Sequence, residues 1–153
     1  IIGSGKDEEN IRQLVHELGL TPFVELPGAM DAAAIAQEMK RAHLFCLASE
    51  TASDGDIEGI PNVLKEAMAS GLPVVSTNHA GIPELIEHRR TGYLAPEKDD
   101  KELANGILFF LEHPEQIPPF TKRARKVIEQ RFDIAKQIKE QEQLYDRLIK
   151  KTR

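Results

Sequence analysis

The sequence predicts an α/β fold built on a doubly wound parallel sheet, and two patterns carry this prediction. Strand-like apolar runs alternate with helical patterns through the first 112 residues, and the connections between them are short. The run LFCLAS (44–49) is apolar up to its last residue, as in a central parallel strand that is covered on both faces. We therefore predict an α/β domain over residues 1–112 and a helical extension over residues 113–153.

The individual elements follow from apolar spacing and from residues that start or stop helices. Asp31 is placed to cap one helix, Pro61 stands at the start of another, and Gly71 ends that second helix as a left-handed residue. The predicted helices span 7–18, 31–42, 62–70, a short segment within 80–88, 99–113, 115–130 and 134–151. The predicted strands are FVEL (23–26), LFCLAS (44–49), VVST (74–77) and GYLAP (92–96).

Composition excludes several classes of protein. With 153 residues, of which 41% are hydrophobic and 29% charged, the chain has the size and makeup of an ordinary globular domain. The negative net charge and the lack of tryptophan argue against nucleic-acid binding, and no apolar run approaches the roughly 20 residues that span a membrane. The single cysteine, Cys46, precludes an internal disulfide and indicates a reducing, cytoplasmic compartment. Because it lies within LFCLAS, we expect its thiol to be an inert part of the core.

The charge is unevenly distributed along the chain. From Lys122 to Arg153 there are 11 Lys and Arg against 5 Asp and Glu, whereas the rest of the chain has 9 against 20. A basic helical tail suits phosphate, an anionic membrane surface or another domain. More often such a tail is a solvated helix face, and both interpretations stay open.

The first five residues, IIGSG, are typical of the end of a buried strand that runs into a glycine loop. No residues that would begin this strand precede them. We therefore expect the chain to be cut from a larger protein on its N-terminal side.

Three segments are candidates for a ligand site, because ligands of such sheets bind where the carboxyl ends of strands meet helix N-termini. They are GSGK (3–6), residues 49–61 and residues 77–83. The helix that begins near Pro61 offers free backbone N–H groups and a partial positive charge, which suit a diphosphate. Gly59, just before it, lets a ligand approach the backbone closely.

Two glutamates flank this helix start. Glu66 lies inside the helix, roughly 130° around it from the apolar stripe, and Glu58 precedes the helix. Because a carboxylate has two acceptor oxygens, each acid suits a pair of sugar hydroxyls on either side of the diphosphate. On these residues alone, two ordinary solvent-facing acids remain the alternative. The apolar stripe consists of Val63, Leu64, Ala67 and Met68.

The run EGIPNVLKEAMASGLPVVSTNHAGIPELIEHRRTGYLAPEKD (58–99) closely resembles the donor-binding domain of the family 4 retaining glycosyltransferases, which have the GT-B fold. It contains two glutamates separated by seven residues, followed by EAMASGLPVV, AGIPELI and GYLAPEKD. The stretches IIGSGKDEENIRQLVHELGL and VELPGAM are also similar to the preceding elements of that family. The resemblance covers residues 1–112 well and the helical tail more loosely. It implies the Rossmann-like, C-terminal half of a GT-B protein.

The resemblance implies roles for the matched residues. Glu66 matches the acid that binds the ribose hydroxyls of the nucleotide, and Glu58 matches the acid that contacts the transferred sugar. Gly3 and Gly5 match glycines of the early loop near the nucleotide. One further set matches the segment whose backbone meets sugar hydroxyls and phosphate: Gly59, Ile60, Pro61, Asn62, Val63 and Leu64. Leu26 and Pro27 match positions that often frame the base.

The resemblance also implies parts that lie upstream of this chain. Family members neutralise the diphosphate with an Arg and a Lys on an earlier strand and loop, and they bind the acceptor with an N-terminal domain. We expect neither a metal nor a cofactor, because no His, Cys and Asp set has metal-ligand spacing. The substrate implied is a nucleotide-diphosphate sugar, with a UDP-sugar favoured. The implied activity is transfer to a growing polysaccharide or glycolipid of the exopolysaccharide type, in the cytoplasm, with peripheral association at the inner face of the membrane.

Two other functions are compatible with the same fold. A nucleotide-sugar 2-epimerase would need catalytic acids and a histidine arrangement that this segment does not support. A non-catalytic nucleotide-sugar-binding subunit would keep the donor site intact. Transfer by the full-length protein distinguishes both from a glycosyltransferase.

Several residues close to the predicted site have structural interpretations. We expect His79 to make a hydrogen bond within its loop, Gly81 to permit a tight turn, and Glu84 to stabilise the start of a short helix. Arg89 and Arg90 are expected to be exposed charges at the end of that helix.

Overall fold

The computed structural model describes residues 1–51, 55 and 59–151, and these residues fold into two compact units. The first unit is Ile1–Arg41 and the second is Ala42–Arg153. The second unit contains a parallel sheet with helices between its strands, so the predicted α/β class is confirmed.

The first unit contains two helices, α1 (Glu8–Glu17) and α2 (Ala32–Arg41). The end of α1 and the start of α2 lie where the sequence predicts them. Gly19 follows α1 with a left-handed φ of 67°, which a glycine adopts without strain. Asp31 caps α2, because its Oδ1 accepts a hydrogen bond of 2.8 Å from the backbone N–H of Ala34.

Two predictions for the first unit are wrong. FVEL (23–26) does not form a strand, and Ile1 and Ile2 are 66% and 43% exposed rather than buried. Among the described residues of this unit, strand-like pairing is limited to one isolated bridge between Ile2 and Gly28. A strand is stabilised by successive hydrogen bonds to a neighbour, and one bridge does not supply them.

The sheet of the second unit has three parallel strands in the order β1-β2-β3. They are β1 (Phe45–Leu47), β2 (Val74–Thr77) and β3 (Tyr93–Ala95). All four residues of β2 are buried, as expected for a strand that pairs on both sides. The prediction of VVST as a buried strand is therefore confirmed.

Cys46 corrects a prediction, because it is exposed and does not belong to the core. It lies at the middle of β1, which is an edge strand of the sheet among the described residues. Side chains alternate between the faces of a strand, and only Phe45 and Leu47, on the other face, are partly covered. Partial desolvation nevertheless raises the pKa of the Cys46 thiol, which makes it a weak nucleophile.

The helices of the second unit begin and end near the predicted residues. They are α3 (Asn62–Ser70), α4 (Ile82–Leu85), α5 (Asp100–Glu112), α6 (Ile117–Arg131) and α7 (Ile134–Lys151), with a 3₁₀ turn at Pro114–Gln116. Gly71 ends α3 with a φ of 84°, as predicted. Asp99 caps α5 by accepting a hydrogen bond of 2.9 Å from the N–H of Glu102.

The aromatic core joins the sheet to α5 and α6. Val75 and Tyr93 of the sheet form one buried cluster with Phe110 and Phe120. The rings of Phe110 and Phe120 pack edge to face with centroids 5.2 Å apart, a favoured aromatic geometry. Helix α6, although it lies in the predicted helical extension, therefore shares the core of the α/β layers.

Part of the basic tail has a structural role. Arg123 of α6 donates a hydrogen bond of 2.7 Å to the carbonyl of Arg90. Arg131, at the end of α6, donates one of 2.9 Å to the carbonyl of Glu84. Hydrogen bonds from charged donors are among the stronger ones, so these arginines attach α6 to α4 and to the turn that follows it.

Helix α7 carries an apolar stripe that is exposed. Its members recur at helical spacing and include Ile134, Ile138, Tyr145 and Leu148. Across residues 1–51, 55 and 59–151, no helix has both the length and the apolar character needed to cross a membrane.

Candidate functional site at the carboxyl ends of the strands

The three parallel strands end at one edge of the sheet, which we call the carboxyl rim. Residues 48–51 follow β1, residues 78–81 follow β2 and residues 96–99 follow β3. Two of these segments were predicted as ligand loops, and the third, after β3, was not. The start of α3 belongs to the connection between β1 and β2, which also leaves the sheet at this rim.

The N-terminus of α3 has no side-chain cap from its N-cap residue. Pro61 occupies the N-cap position and has no N–H to donate. Its side chain makes no capping hydrogen bond to the helix. The backbone N–H of Leu64 donates a hydrogen bond of 3.2 Å to the carbonyl of Pro61. The backbone N–H groups of Asn62 and Val63 have no acceptor within the helix. The first turn of α3 contains no acidic residue that would offset the partial positive charge of the helix end.

The predicted position of Glu66 on α3, away from the apolar stripe, is confirmed. Leu64, Ala67 and Met68 are fully buried, and Glu66 lies on the exposed side of α3. The ion pairs formed within the described part of the chain do not involve Glu66. Its carboxylate is accordingly accessible one turn from the open helix end. Glu58, the other predicted acid, lies outside the described residues.

Gly81 is required for close packing and not for a tight turn. Its φ is −82°, which any residue adopts, so the predicted reason is wrong. A Cβ atom at position 81 would lie 2.7 Å from Cγ1 of Ile60 and 3.5 Å from the carbonyl carbon of Gly59. The loop after β2 therefore rests directly on the residues that lead into α3.

The side chain of His79 is hydrogen-bonded, but not within its own loop as predicted: its partner is Glu97, in the loop after β3, which the sequence did not single out. The imidazole is buried, with 2% exposure, and its Nδ1 lies 2.8 Å from Oε1 of Glu97. The other oxygen of Glu97, Oε2, accepts a hydrogen bond of 2.9 Å from the backbone N–H of Thr51. The hydrogen bond from Thr51, and after it the one from His79, holds the pKa of Glu97 below its usual value.

The depressed pKa of Glu97 predicts a pH-dependent contribution to stability. Because its pKa is lower in the folded than in the unfolded chain, ionised Glu97 stabilises the fold above the ordinary glutamate value of about 4.3. That stabilisation is lost as the pH falls through the lower, folded-state pKa. We expect the difference in free energy of unfolding between native protein and Glu97→Gln to be constant above about pH 5 and to shrink below about pH 4.3.

Urea unfolding followed by circular dichroism between pH 3 and pH 7 measures this difference. Glu102, whose pKa is lowered chiefly by the hydrogen bond from the Tyr93 hydroxyl, titrates in both proteins, so its contribution cancels in their comparison. A difference that does not vary with pH would contradict the prediction.

Of the four residues of the first unit that were predicted to lie near the nucleotide, three lie around one cavity. Gly3, Gly5 and Leu26 line one cavity of about 330 Å³ at the start of α1. Pro27 is exposed and does not line it. The cavity is open, mostly apolar in its lining, and bounded by Lys6 and Asp7 on the polar side. This composition suits a small organic ligand that carries a polar group.

Arg89 and Arg90, which follow α4, differ partly from expectation in their position. Both are exposed, as predicted, but they occupy a turn after the helix. Arg90 pairs with Glu87 at 2.9 Å. Arg89 has a left-handed φ of 58°, and its guanidinium lies 5.3 Å from the ring centre of Phe109 and 5.7 Å from that of Tyr93. Cation–π contacts of this kind stabilise the turn beside β3.

Comparison with known proteins identifies the family. Residues 1–127 match the family described as "Glycosyl transferases group 1". The chain belongs to this family. Among relatives of this chain, the putative colanic acid biosynthesis glycosyltransferase WcaL of Escherichia coli is 42% identical over 134 residues, covering 87% of this chain and 33% of WcaL. The amylovoran biosynthesis glycosyltransferase AmsK of Erwinia amylovora is 43% identical over 133 residues, with the same two coverages. The glycosyltransferase chain thus spans about a third of the length of these curated relatives.

Solved structures confirm the resemblance to GT-B glycosyltransferases. HepE of Anabaena, solved in complex with UDP-glucose, is 30% identical, with a TM-score of 0.79 over 92% of this chain and 39% of HepE. Sucrose-phosphate synthase of Thermosynechococcus elongatus is 28% identical, with a TM-score of 0.82 over 95% of this chain and 35% of the synthase. The chain therefore has the fold that its sequence motifs indicate.

Proposed function

We propose that this chain is the donor-binding domain of a retaining, family 4 glycosyltransferase that adds a sugar to a growing polysaccharide or glycolipid. The observation that carries the proposal is the uncapped N-terminus of α3, with the accessible carboxylate of Glu66 one turn away. The names of WcaL and AmsK support an exopolysaccharide product, and the UDP-glucose bound to HepE supports a UDP-sugar as donor.

The proposed division of labour follows from charge and geometry. The N–H groups of Asn62 and Val63 and the dipole of α3 stabilise the negative charge that develops on the leaving nucleoside diphosphate. Glu66 accepts hydrogen bonds from the ribose hydroxyls, and Glu58 contacts the transferred sugar. Because backbone groups of a helix end meet the diphosphate, this scheme needs no metal ion.

Other parts of the reaction are assigned to the rest of the protein. The curated relatives are about three times as long as the matched region, so we place the acceptor site in a further domain. We assign the Arg and Lys that neutralise the diphosphate to that additional sequence as well. The proposed setting is the cytoplasm, at the inner face of the membrane.

Titration of the chain with nucleotide sugars tests the proposal. UDP-, GDP- and ADP-sugars are added to ¹⁵N-labelled protein, and the backbone amide signals are followed by NMR. We expect a UDP-sugar to shift the signals of residues 59–66, with free glucose as a control that shifts none. Shifts confined to other regions, such as α6 and α7, would count against the proposal.

Assays on the full-length protein separate the two alternatives. A 2-epimerase would convert the nucleotide sugar without an acceptor, and a binding subunit would leave it unchanged. A glycosyltransferase consumes the donor only when it forms a glycosylated product or, slowly, by hydrolysis.

A further inference from the structure

The end of β1 and the chain that follows it are held in place by two side chains of β2 and one side chain of the loop after β3. The Ser76 hydroxyl donates to the carbonyl of Leu47 at 2.7 Å, and the Thr77 hydroxyl donates to the carbonyl of Ser49. Glu97 accepts from the N–H of Thr51 at 2.9 Å. These three contacts fall on every second residue, so the chain stays extended along the carboxyl rim after backbone pairing in β1 has ended at Leu47.

The last of these contacts differs from the other two, because it depends on a charged group with a second partner. One oxygen of Glu97 binds Thr51, and the other binds the buried imidazole of His79. An ionised carboxylate only accepts hydrogen bonds, so Nδ1 of His79 carries the proton that it donates. His79 is itself fixed, since its carbonyl accepts from the N–H of Ile82 at the start of α4.

The connection between β1 and α3 is attached to this rim at both of its ends. Glu97 binds it at Thr51, and Gly81 packs against Ile60 at the other end. Gly81 lies two residues after His79, so both attachments belong to one hydrogen-bonded group of loops. The position of the α3 N-terminus relative to the sheet therefore depends on this group.

We propose that Glu97, oriented by His79, is a positioning residue of the donor site: it fixes the point at which the chain leaves the sheet before α3. This inference rests on the proposed function. The other charged side chains at this part of the rim are Glu50 after β1 and Lys98, Asp99 and Asp100 before α5 and at its start. None of them bonds to Glu97 in the described part of the chain, so the partners of its carboxylate are Thr51 and His79.

Two variants at position 97 test the proposal through the affinity of the whole chain for UDP-glucose. Glu97→Leu has a similar size and no acceptor, and we expect its dissociation constant to rise at least about tenfold. Glu97→Gln keeps an oxygen that accepts from Thr51, and its NH₂ group donates to Nδ1 of His79 once the neutral imidazole takes the tautomer with its proton on Nε2, so we expect it to remain within about threefold of the native value. The Thr51 amide signal should move upfield in Glu97→Leu, and in the native protein it should titrate with the Glu97 carboxylate.

Ser76→Ala is the matched control for a general loss of stability. It removes the contact to Leu47 in the same extended segment and leaves Glu97, His79 and Thr51 intact. We expect it to lower the melting temperature while it retains native affinity for UDP-glucose. An equal loss of affinity in Ser76→Ala and Glu97→Leu would overturn the positioning role.

The proposed function and this inference fail in different ways. If the native chain binds UDP-glucose and Glu66→Ala does not, but Glu97→Leu binds like the native chain, only the positioning role is wrong. If the native chain binds no nucleotide sugar under conditions in which it is folded, the proposed function is wrong and the inference falls with it.

Discussion

Replacement of Gly106 with leucine is expected to remove most of the stability of the second unit. Gly106 is buried in α5, where the helix lies directly on the sheet. Even a Cβ atom there would lie 2.6 Å from Cδ1 of Tyr93 and 2.9 Å from Cγ1 of Val75. Both neighbours are core residues that cannot move away freely, so we expect leucine to lower the free energy of unfolding by more than about 4 kcal/mol.

Gly106→Ala measures how far the core can relax. Alanine gains about 1 kcal/mol from helix propensity, whereas overpacking costs about 1–3 kcal/mol, so we expect a small net destabilisation. Urea unfolding followed at 222 nm gives both values. Leu111→Ala on the same helix is the control, because Leu111 is 64% exposed and its loss should change stability by no more than about 0.5 kcal/mol. A Gly106→Ala protein more stable than the native one would show that α5 can move away from the sheet.

Glu66→Ala is expected to weaken the binding of UDP and UDP-sugars alike. The carboxylate is exposed and projects from the helix whose N-terminus receives the diphosphate in the proposed complex. Loss of hydrogen bonds to a charged acceptor costs about 1–3 kcal/mol, which corresponds to a roughly five- to 150-fold rise in the dissociation constant. Isothermal titration calorimetry with UDP and with UDP-glucose measures both affinities.

Two further variants make this result specific. Glu66→Gln keeps one acceptor oxygen and removes the charge, so it should fall between native protein and Glu66→Ala. Glu112→Ala removes an exposed acid from α5 and should leave both affinities unchanged. If Glu66→Ala binds UDP as tightly as the native protein does, Glu66 does not hold the ribose.

The helices were predictable because their ends are determined by local chemistry. Asp31 and Gly71 cap their helices by contacts or backbone angles that involve residues only a few positions away. The exposed position of Glu66 was predictable for the same reason, since helical periodicity alone places it away from Leu64 and Ala67. Such features require no knowledge of the rest of the fold.

The strands at the edge of the sheet were less predictable, because burial of a strand depends on neighbours that are distant in sequence. LFCLAS is almost continuously apolar, and the sequence does not tell which of its two faces is covered; Cys46 lies on the exposed one. Glu97 was missed because its partner Thr51 is 46 residues away. A general signal for it existed: Glu97 follows a predicted strand, and residues in that position reach the carboxyl rim.

The shared aromatic cluster of Phe110 and Phe120 has a consequence for building chimeras between members of the family. A hybrid that takes α5 from one parent and α6 from another would combine two halves of one packed interface, along with the arginine contacts to residues 84 and 90. The fusion point for such a hybrid therefore belongs after Phe132, where α6 has ended.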